Sequence, residues 1–349
     1  MFQHQTITKN EIEEALKLLN LNKSPDISGI STENLLYGGQ SLIYHLKELL
    51  DSTFRLYYIP DEQKLGIVIP PFKNKGSCQD SKNYRGITIT PTLSKLIEAV
   101  LKIRINPDII KYQNPLQRGF TRRTAPLNCS FIIEEFHKEC VELNDQTIIT
   151  MLDAKSAFDA VKHAGLIRRL YQKKIPEQSI LIIDNLYKNA VSCVKWNNQI
   201  SDTFRIEQGV RQGEAFSADL YKIYINTLLD ILTDTGYKGN IGSISCCAPT
   251  CADDLAILSN CPYETQILNN MAFDFSKREA YLLQPAKSCV IQSKSRHHET
   301  VNANFWTLGN STLPTSKKAS HIGICRTDDD SCKATIDENL KKAEGHFIV

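Results

Sequence analysis

Apolar residues recur along the chain in two periods, and these mark out its elements before any chemistry is considered. Ile12, Ala15, Leu16 and Leu19 follow a Thr8-x-x-Glu11 capping box at helical spacing, so a helix is expected there. Lys23-Ser-Pro25 should close it and open a loop to Gly29. Leu42, Leu46, Leu49 and Leu50 predict a second helix over 41–54, and residues 92–104 a third. Runs at 65–70 and 148–153 read as strands, the second ending on an acid and turning into a helix over 153–159. Helices are expected over 165–170 and 180–187, and strands over 191–196 and 203–206 flank a turn at Asn197-Asn198. Phe216, Leu220, Tyr224 and Leu228 share one face of a long helix. Toward the end the pattern predicts a helix over 265–283, a strand over 287–291, one strand near Ile322-Gly-Ile324 and an amphipathic helix over 336–346.

One stretch breaks the pattern in an informative way. In Thr250-Cys-Ala-Asp-Asp-Leu-Ala-Ile-Leu258 two adjacent acids stand between apolar runs. Two short strands joined by a tight turn, with Asp253 and Asp254 at its tip, is the natural arrangement. Carboxylates beside a core are costly unless compensated, and a cation is the natural compensation. An ordinary Asp-Asp turn is the plainer explanation. Asp153, at the end of a strand a hundred residues earlier, supplies a third acid. The three are expected to converge as ligands for two divalent cations roughly 3.5–4 Å apart, the arrangement used in phosphoryl transfer. Mg2+ suits such a site because it prefers oxygen ligands.

Composition narrows the field only modestly. At 349 residues, with 42% hydrophobic and 23% charged residues, the chain can bury a large core around one cleft. No apolar run reaches the roughly 18 residues of a membrane span, so no membrane partner is expected. The first residues lack a basic-then-apolar signal pattern. Eleven scattered cysteines suggest reduced thiols and an intracellular protein. The tight cluster Cys246, Cys247, Cys251 and Cys261 lacks the paired spacing of a zinc site.

Charge changes the picture more. The net charge of +2 conceals the segment from Lys64 to Arg123, where twelve Lys and Arg stand against three acids, a local balance of +9. Such a segment suggests a face for a polyanion, and the basic loops 71–76 and 117–123 with their aromatics suit phosphate contacts and base stacking. A solvated basic surface is the alternative. Gln208-Gly-Val-Arg-Gln-Gly213 is a loop whose glycines would let backbone approach a ligand closely.

These blocks, in this order, resemble the reverse transcriptases of non-LTR (LINE-like) retrotransposons. The resemblance is carried by Ile69-Pro-Pro-Phe-Lys73, Asn83-Tyr-Arg-Gly-Ile87, Gln117-x-Gly-Phe120, Leu152-Asp-Ala-Lys-Ser-Ala-Phe-Asp159, Gln208-Gly-Val-Arg-Gln-Gly213, Cys251-Ala-Asp-Asp254 and Pro285-Ala-Lys-Ser288, with Asn22-Lys-Ser-Pro25 ahead of them. It implies an α+β right-hand polymerase with fingers and palm, the palm an antiparallel sheet with helices. Residues 1–60 would form an N-terminal helical extension and 61–325 the reverse transcriptase domain. Within it, fingers would take 61–147 and about 165–205, and palm about 148–164 and 206–325. Residues 326–349 would begin a thumb that is otherwise largely missing, as in a fragment or a decayed element copy.

The resemblance also implies an activity and roles. The protein would be an RNA-directed DNA polymerase that extends a primer 3′-OH on an RNA template with deoxynucleoside triphosphates. Asp153, Asp253 and Asp254 would bind two Mg2+ ions, with Mn2+ as a substitute. Lys287 would serve as general acid near the leaving pyrophosphate. Lys73 and Arg85 would hold the triphosphate, Phe158 would lie under the sugar, and Gln212 and Gly213 would line the nucleotide pocket. Asp159 would be a structural neighbour. A nuclear location is consistent with the family. Three positions depart from the family pattern: Cys251 replaces Tyr or Phe, Glu214 replaces Asp, and Ala218 replaces Pro. Two alternatives stay open, a catalytically silent nucleic-acid-binding remnant and a maturase-like RNA-binding protein.

Overall fold

Residues 5–346 are described by a computed structural model, apart from Lys75, Lys238, Ala280 and the stretches 294–300, 303–304 and 329–330. The chain divides into two units, one of residues 1–112 and 161–224 and the other of 113–160 and 225–349. The first unit opens with helices α1 (Lys9–Leu18), α2 (Thr32–Leu36) and α3 (Gly39–Leu56), strands β1 (Leu65–Ile69) and β2 (Ile87–Ile89), and helix α4 (Thr92–Tyr112). In the second unit lie α5 (Pro126–Glu142) and β3 (Ile148–Leu152). The first unit then resumes with α6 (His163–Gln172), α7 (Glu177–Tyr187), β4 (Val191–Trp196), β5 (Gln199–Ile200) and β6 (Phe204–Arg205). Helix α8 (Ala215–Thr233) leads into β7 (Asn240–Ile241), β8 (Ile244–Ser245), β9 (Thr250–Cys251), β10 (Asp254–Ser259), α9 (Pro262–Arg278) and β11 (Cys289–Gln292) of the second unit. That unit ends with β12 (Thr307–Leu308), β13 (Ser311–Thr312), β14 (Lys318–His321), β15 (Ile324–Thr327) and α10 (Ser331–His346).

In the first unit the expected capping box is formed: the Thr8 hydroxyl accepts from the Glu11 N–H, and the Glu11 carboxylate accepts from the Thr8 N–H at 2.8 Å. Ile12, Ala15 and Leu16 are buried, while α1 stops at Leu18, just short of Leu19. On α3 the buried stripe is Ile43, Leu46, Leu50 and Phe54, and Leu49 falls off it and is exposed. Helix α4 continues past Arg104 and through Pro107, burying Ile105 and Ile109. Its Arg104 donates to Glu11 at 2.6 Å and to the Thr6 carbonyl at 2.9 Å, tying the start of α1 to α4. The sheet runs β2-β1-β4-β5, with β1 and β4 parallel and β6 also on β4. Asn197 and Asn198, both left-handed at φ 47° and 63°, make the tight turn between β4 and β5.

The second unit is built on a four-stranded antiparallel sheet in the order β11-β3-β10-β9. All five residues of β3 are buried, as befits a central strand covered on both faces. On one face Ile149, Met151, Ala256, Leu258 and Ile291 pack with Ile133, Phe136 and Cys140 of α5. Helix α9 packs on β10 and β3.

The structure differs from the periodic pattern at three places here. Residues 153–159 do not turn into a helix. Ala154 pairs with Leu283, Lys155 N–H donates to the Leu282 carbonyl at 2.8 Å, and Ser156 is left-handed at φ 49°. Strand-like pairing followed by a left-handed residue excludes a helix until α6. The single strand near Ile322-Gly323 is a hairpin, with those two residues as the left-handed turn between β14 and β15. Helix α9 ends at Arg278, short of the expected Leu283.

Candidate active site

The tip of the β9–β10 hairpin is a two-residue turn, Ala252-Asp253, between the paired residues Cys251 and Asp254. Antiparallel pairing of β10 with β3 sets Leu255 opposite Leu152, and one further step of that register brings Asp153 opposite Asp254. All three acids therefore collect at one end of the central strands. Along β10, Leu255 through Leu258 are buried in the core, and Asp254 is left open at the edge.

What holds the tip in place is Gln117, which the sequence marks as part of a short block but gives no role. This residue, about 1% exposed, pairs with the turn as another strand would. Its Nε2 donates to the Ala252 carbonyl at 3.1 Å, and its Oε1 accepts from the N–H groups of Ala252 at 2.9 Å and Gly119 at 2.8 Å. Backbone bonds beside it, Arg118 N–H to Thr250 O at 2.8 Å and Thr250 N–H to Leu116 O at 2.9 Å, add a short parallel ladder. A Cβ on Gly119 would meet the backbone of Ala252 and Cys251 well inside van der Waals contact, so only glycine fits. The left-handed Ala252, at φ 59°, is kept in that conformation by these bonds. The Gln-x-Gly block is legible as a basic loop, but its tie to a turn 135 residues away is not.

Asp153 is held from its other side by the turn at 284–288. Its N–H donates to Ser288 Oγ at 3.0 Å, its carbonyl accepts from Gln284 N–H at 2.8 Å, and its Oδ2 accepts from Gln284 Nε2 at 2.6 Å. Lys287, largely exposed, places Nζ 4.0 Å from the same Oδ2. Although Asp254 keeps exposed surface as a residue, its carboxyl is partly desolvated beside the core, and this, then the charges of Asp253 and Asp153, push it up to about 6. Burial and the Asp153 charge push Asp253 up as well.

Asp253 and Asp254, each raised by burial and then by neighbouring carboxylate charge, stand with Asp153 as hard oxygen donors suited to divalent cations, which would relieve that repulsion. Among the described residues no three His, Cys, Asp or Glu side chains already stand as a formed metal-binding group. The carboxylates fit the ion by chemistry and by electrostatic coupling.

The remaining expected residues divide between the units. Phe158 is half-buried in the second unit, its ring edge-to-face with the exposed Phe120 at 6.0 Å. In the first unit Phe72 and Tyr84 pair, Lys73 N–H donates to the Asn83 carbonyl at 2.8 Å, and Arg85 N–H donates to the Pro71 carbonyl at 3.0 Å. Lys73 Nζ reaches the Lys82 carbonyl at 2.8 Å, while Arg85 is exposed. The Gln212 carbonyl accepts from Thr88 N–H at 3.1 Å, and Gly213, at φ 103°, lies against Ile87. Arg211, between the two glycines, points inward: it donates to the Lys64 carbonyl at 2.9 Å and lies 3.7 Å from the buried Glu98. Burial and then the charge of Glu214 push Glu98 up to about 8.

The basic segment is less available than its formal balance of +9 suggests. Lys64 is buried 3.0 Å from Asp61, Arg104 is bound to Glu11, and Lys102 lies 3.0 Å from Asp219. Lys73, Lys82, Arg85, Lys111, Arg122 and Arg123 are exposed, and Lys75 lies outside the described residues.

The three departures are accommodated locally. Cys251 shares a thiol–thiol hydrogen bond with the buried Cys129 of α5, which lowers Cys251 and, with burial, raises Cys129. Glu214 accepts from the Thr90 hydroxyl at 2.8 Å, and Ala218 is buried in α8. Among the described residues no helix is long and apolar enough to cross a membrane.

A family model described as reverse transcriptase (RNA-dependent DNA polymerase) matches residues 72–313. The chain is 25% identical over 226 residues to the Transposon TX1 uncharacterized 149 kDa protein of Xenopus laevis, covering 65% of this chain and 17% of that protein. It is 24% identical over 250 residues to the Retrovirus-related Pol polyprotein from type-2 retrotransposable element R2DM of Drosophila melanogaster, covering 70% and 23%. To the Probable RNA-directed DNA polymerase from transposon BS of Drosophila melanogaster it is 26% identical over 260 residues, covering 73% and 28%. The chain thus spans 17–28% of the length of these relatives. A telomerase from Candida tropicalis, without its C-terminal domain, superposes at a TM-score of 0.53 and 12% identity over 82% of this chain and 59% of that one, a likeness of fold.

Proposed function

The chain belongs to the reverse transcriptase (RNA-dependent DNA polymerase) family, with the mixed α+β fold of right-hand polymerases, and from that membership we propose that it extends a DNA primer on an RNA template. The observation that carries this is the register of β3 and β10, which gathers Asp153, Asp253 and Asp254 at one sheet end. The antiparallel sheet β11-β3-β10-β9 would be the palm, and the β1, β2 and β4 region part of the fingers. Asp153, Asp253 and Asp254 would hold two divalent cations. When bound, such ions supply Lewis-acid stabilisation of the attacking and leaving oxygens in an in-line displacement.

The rest of the work falls to the chain's own groups. The Lys287 ammonium, exposed and 4.0 Å from Asp153, is proposed to give its proton to the leaving pyrophosphate. Lys73 and Arg85 are proposed to contact the triphosphate, Gln212 and Gly213 to line the nucleotide pocket, and Phe158 to touch the sugar. Gln117 and Gly119 fix the hairpin that carries two of the three carboxylates. The test is primer extension on an RNA template with deoxynucleoside triphosphates, with and without Mg2+. Extension by the wild type and its abolition in Asp153→Asn, with template–primer binding retained, is the expected result. A wild-type protein that binds template–primer and adds nothing would be a silent nucleic-acid-binding remnant.

A further inference from the structure

We propose that Gln284 is a positioning residue for Asp153, fixing which carboxylate oxygen is presented to a divalent cation; this rests on the function proposed above. Two residues of one turn hold Asp153 at three points: its N–H on Ser288 Oγ at 3.0 Å, its carbonyl under Gln284 N–H at 2.8 Å, and its Oδ2 under Gln284 Nε2 at 2.6 Å. The turn itself is closed by backbone bonds onto the Gln284 carbonyl, from Lys287 N–H at 3.0 Å and Ser288 N–H at 2.9 Å, and by Ser288 Oγ at 2.8 Å. None of these closing bonds uses the Gln284 side chain. Its amide therefore contributes to the orientation of the carboxylate and not to the folding of the turn.

The choice of an amide has a physical consequence. With Oδ2 engaged by Gln284, the carboxylate cannot rotate freely, and Oδ1 is the oxygen left for an ion. The Lys287 ammonium stands off from the same oxygen at 4.0 Å and is largely exposed, so the close contact is the neutral amide at 2.6 Å, which orients the carboxylate with less opposition to a cation than an ammonium or guanidinium at that shorter distance would bring. Groups that hydrogen-bond a metal-binding carboxylate commonly change metal affinity about 10–100-fold when replaced. Gln284 is half-buried, so a side chain of similar length fits in its place.

The experiment compares wild type, Gln284→Met and Gln284→Lys. Met keeps the length and removes the donor; Lys keeps a donor and brings a positive charge. Two readouts are taken: the Mn2+ concentration that half-saturates the rise in melting temperature, without substrate, and the Mg2+ dependence of primer extension. Both variants are expected to raise the half-saturating concentration about tenfold, with a smaller loss of extension at saturating metal. Because the turn keeps its backbone bonds, the metal-free melting temperature of Gln284→Met should stay close to wild type. If Met does not fold, Lys alone decides. A wild type that responds to Mn2+ beside a variant with the same half-saturation overturns the role of Gln284 while leaving the polymerase reading intact. A wild type with neither response nor extension overturns the polymerase reading, and this one with it.

Discussion

Replacing Gln117 with Met tests whether the acid-bearing hairpin is held by a single buried amide. The perturbation keeps the volume of the side chain and removes its three hydrogen bonds, to the Ala252 carbonyl and to the N–H groups of Ala252 and Gly119. At about 1 kcal/mol net per bond the loss is about 3 kcal/mol. The position is about 1% exposed, so water cannot readily replace the missing partners. In a domain of about 150–250 residues this lowers the melting temperature by roughly 6–12 °C. The activity should fall further than the stability, because displacement of reacting groups by about 1 Å can lower a rate on the order of a hundredfold. Leu268→Ala is the control. Leu268 is fully buried on α9, and its truncation costs a similar 2–5 kcal/mol or so without touching the clamp. Thermal unfolding and single-nucleotide incorporation, both measured well below the transition, compare the two proteins. An unchanged melting temperature in Gln117→Met, or an activity loss no greater than that of Leu268→Ala, would refute the reasoning.

Three further outcomes follow from other parts of the molecule. Replacing the exposed Arg122 and Arg123 with Gln should flatten the dependence of template–primer affinity on salt, by up to about 0.9 in the log–log slope for each phosphate no longer neutralised; equal slopes would place both residues away from the nucleic acid. Phe158→Val should relax the preference for deoxy- over ribonucleotides, measured by single-nucleotide incorporation. A ring that serves only packing would instead lose about 1–3 kcal/mol of stability and keep the preference ratio. The Asp254 carboxyl is pushed up to about 6 in the fold, above its unfolded value, so the folded state binds the proton more tightly. That contribution is complete below about pH 4 and is lost as pH rises through about 6, so metal-free protein should melt lower at pH 7 than at pH 4 by this group's share. Asp254→Asn should flatten that part of the profile, and Mg2+ should raise the melting temperature at pH 7 but not at pH 4. An Asp254→Asn profile identical to wild type would remove Asp254 as the cause.

Much of the site is legible in the sequence because its signals are local. Two acids between apolar runs specify a hairpin tip, and an apolar run that ends on Asp153 specifies a strand end. The capping box of α1 is complete within four residues. Ordered short blocks are enough to suggest the family. Other features depend on which distant segments meet. Helix α5 is hard to see in the sequence because Leu127 and Phe131 lie exposed on it while Cys129, Ile133, Phe136 and Cys140 are buried, which blurs the apolar period. After Asp153 the helical expectation fails because backbone pairing with Leu282 and Leu283 competes with the local tendency of the segment. Lys64, Lys102 and Arg104 count as positive charge in the sequence, but each is bound to an acid within its own unit. The hydrogen bonds of Gln117 to Ala252 and of Gln284 to Asp153 cross 135 and 131 residues. Periodicity and spacing describe neighbours along the chain, whereas an amide finds its partner only after the sheet has set its register. Sequence alone thus determined the identity of the acids and the turns that present them; the tertiary structure decided what holds them still.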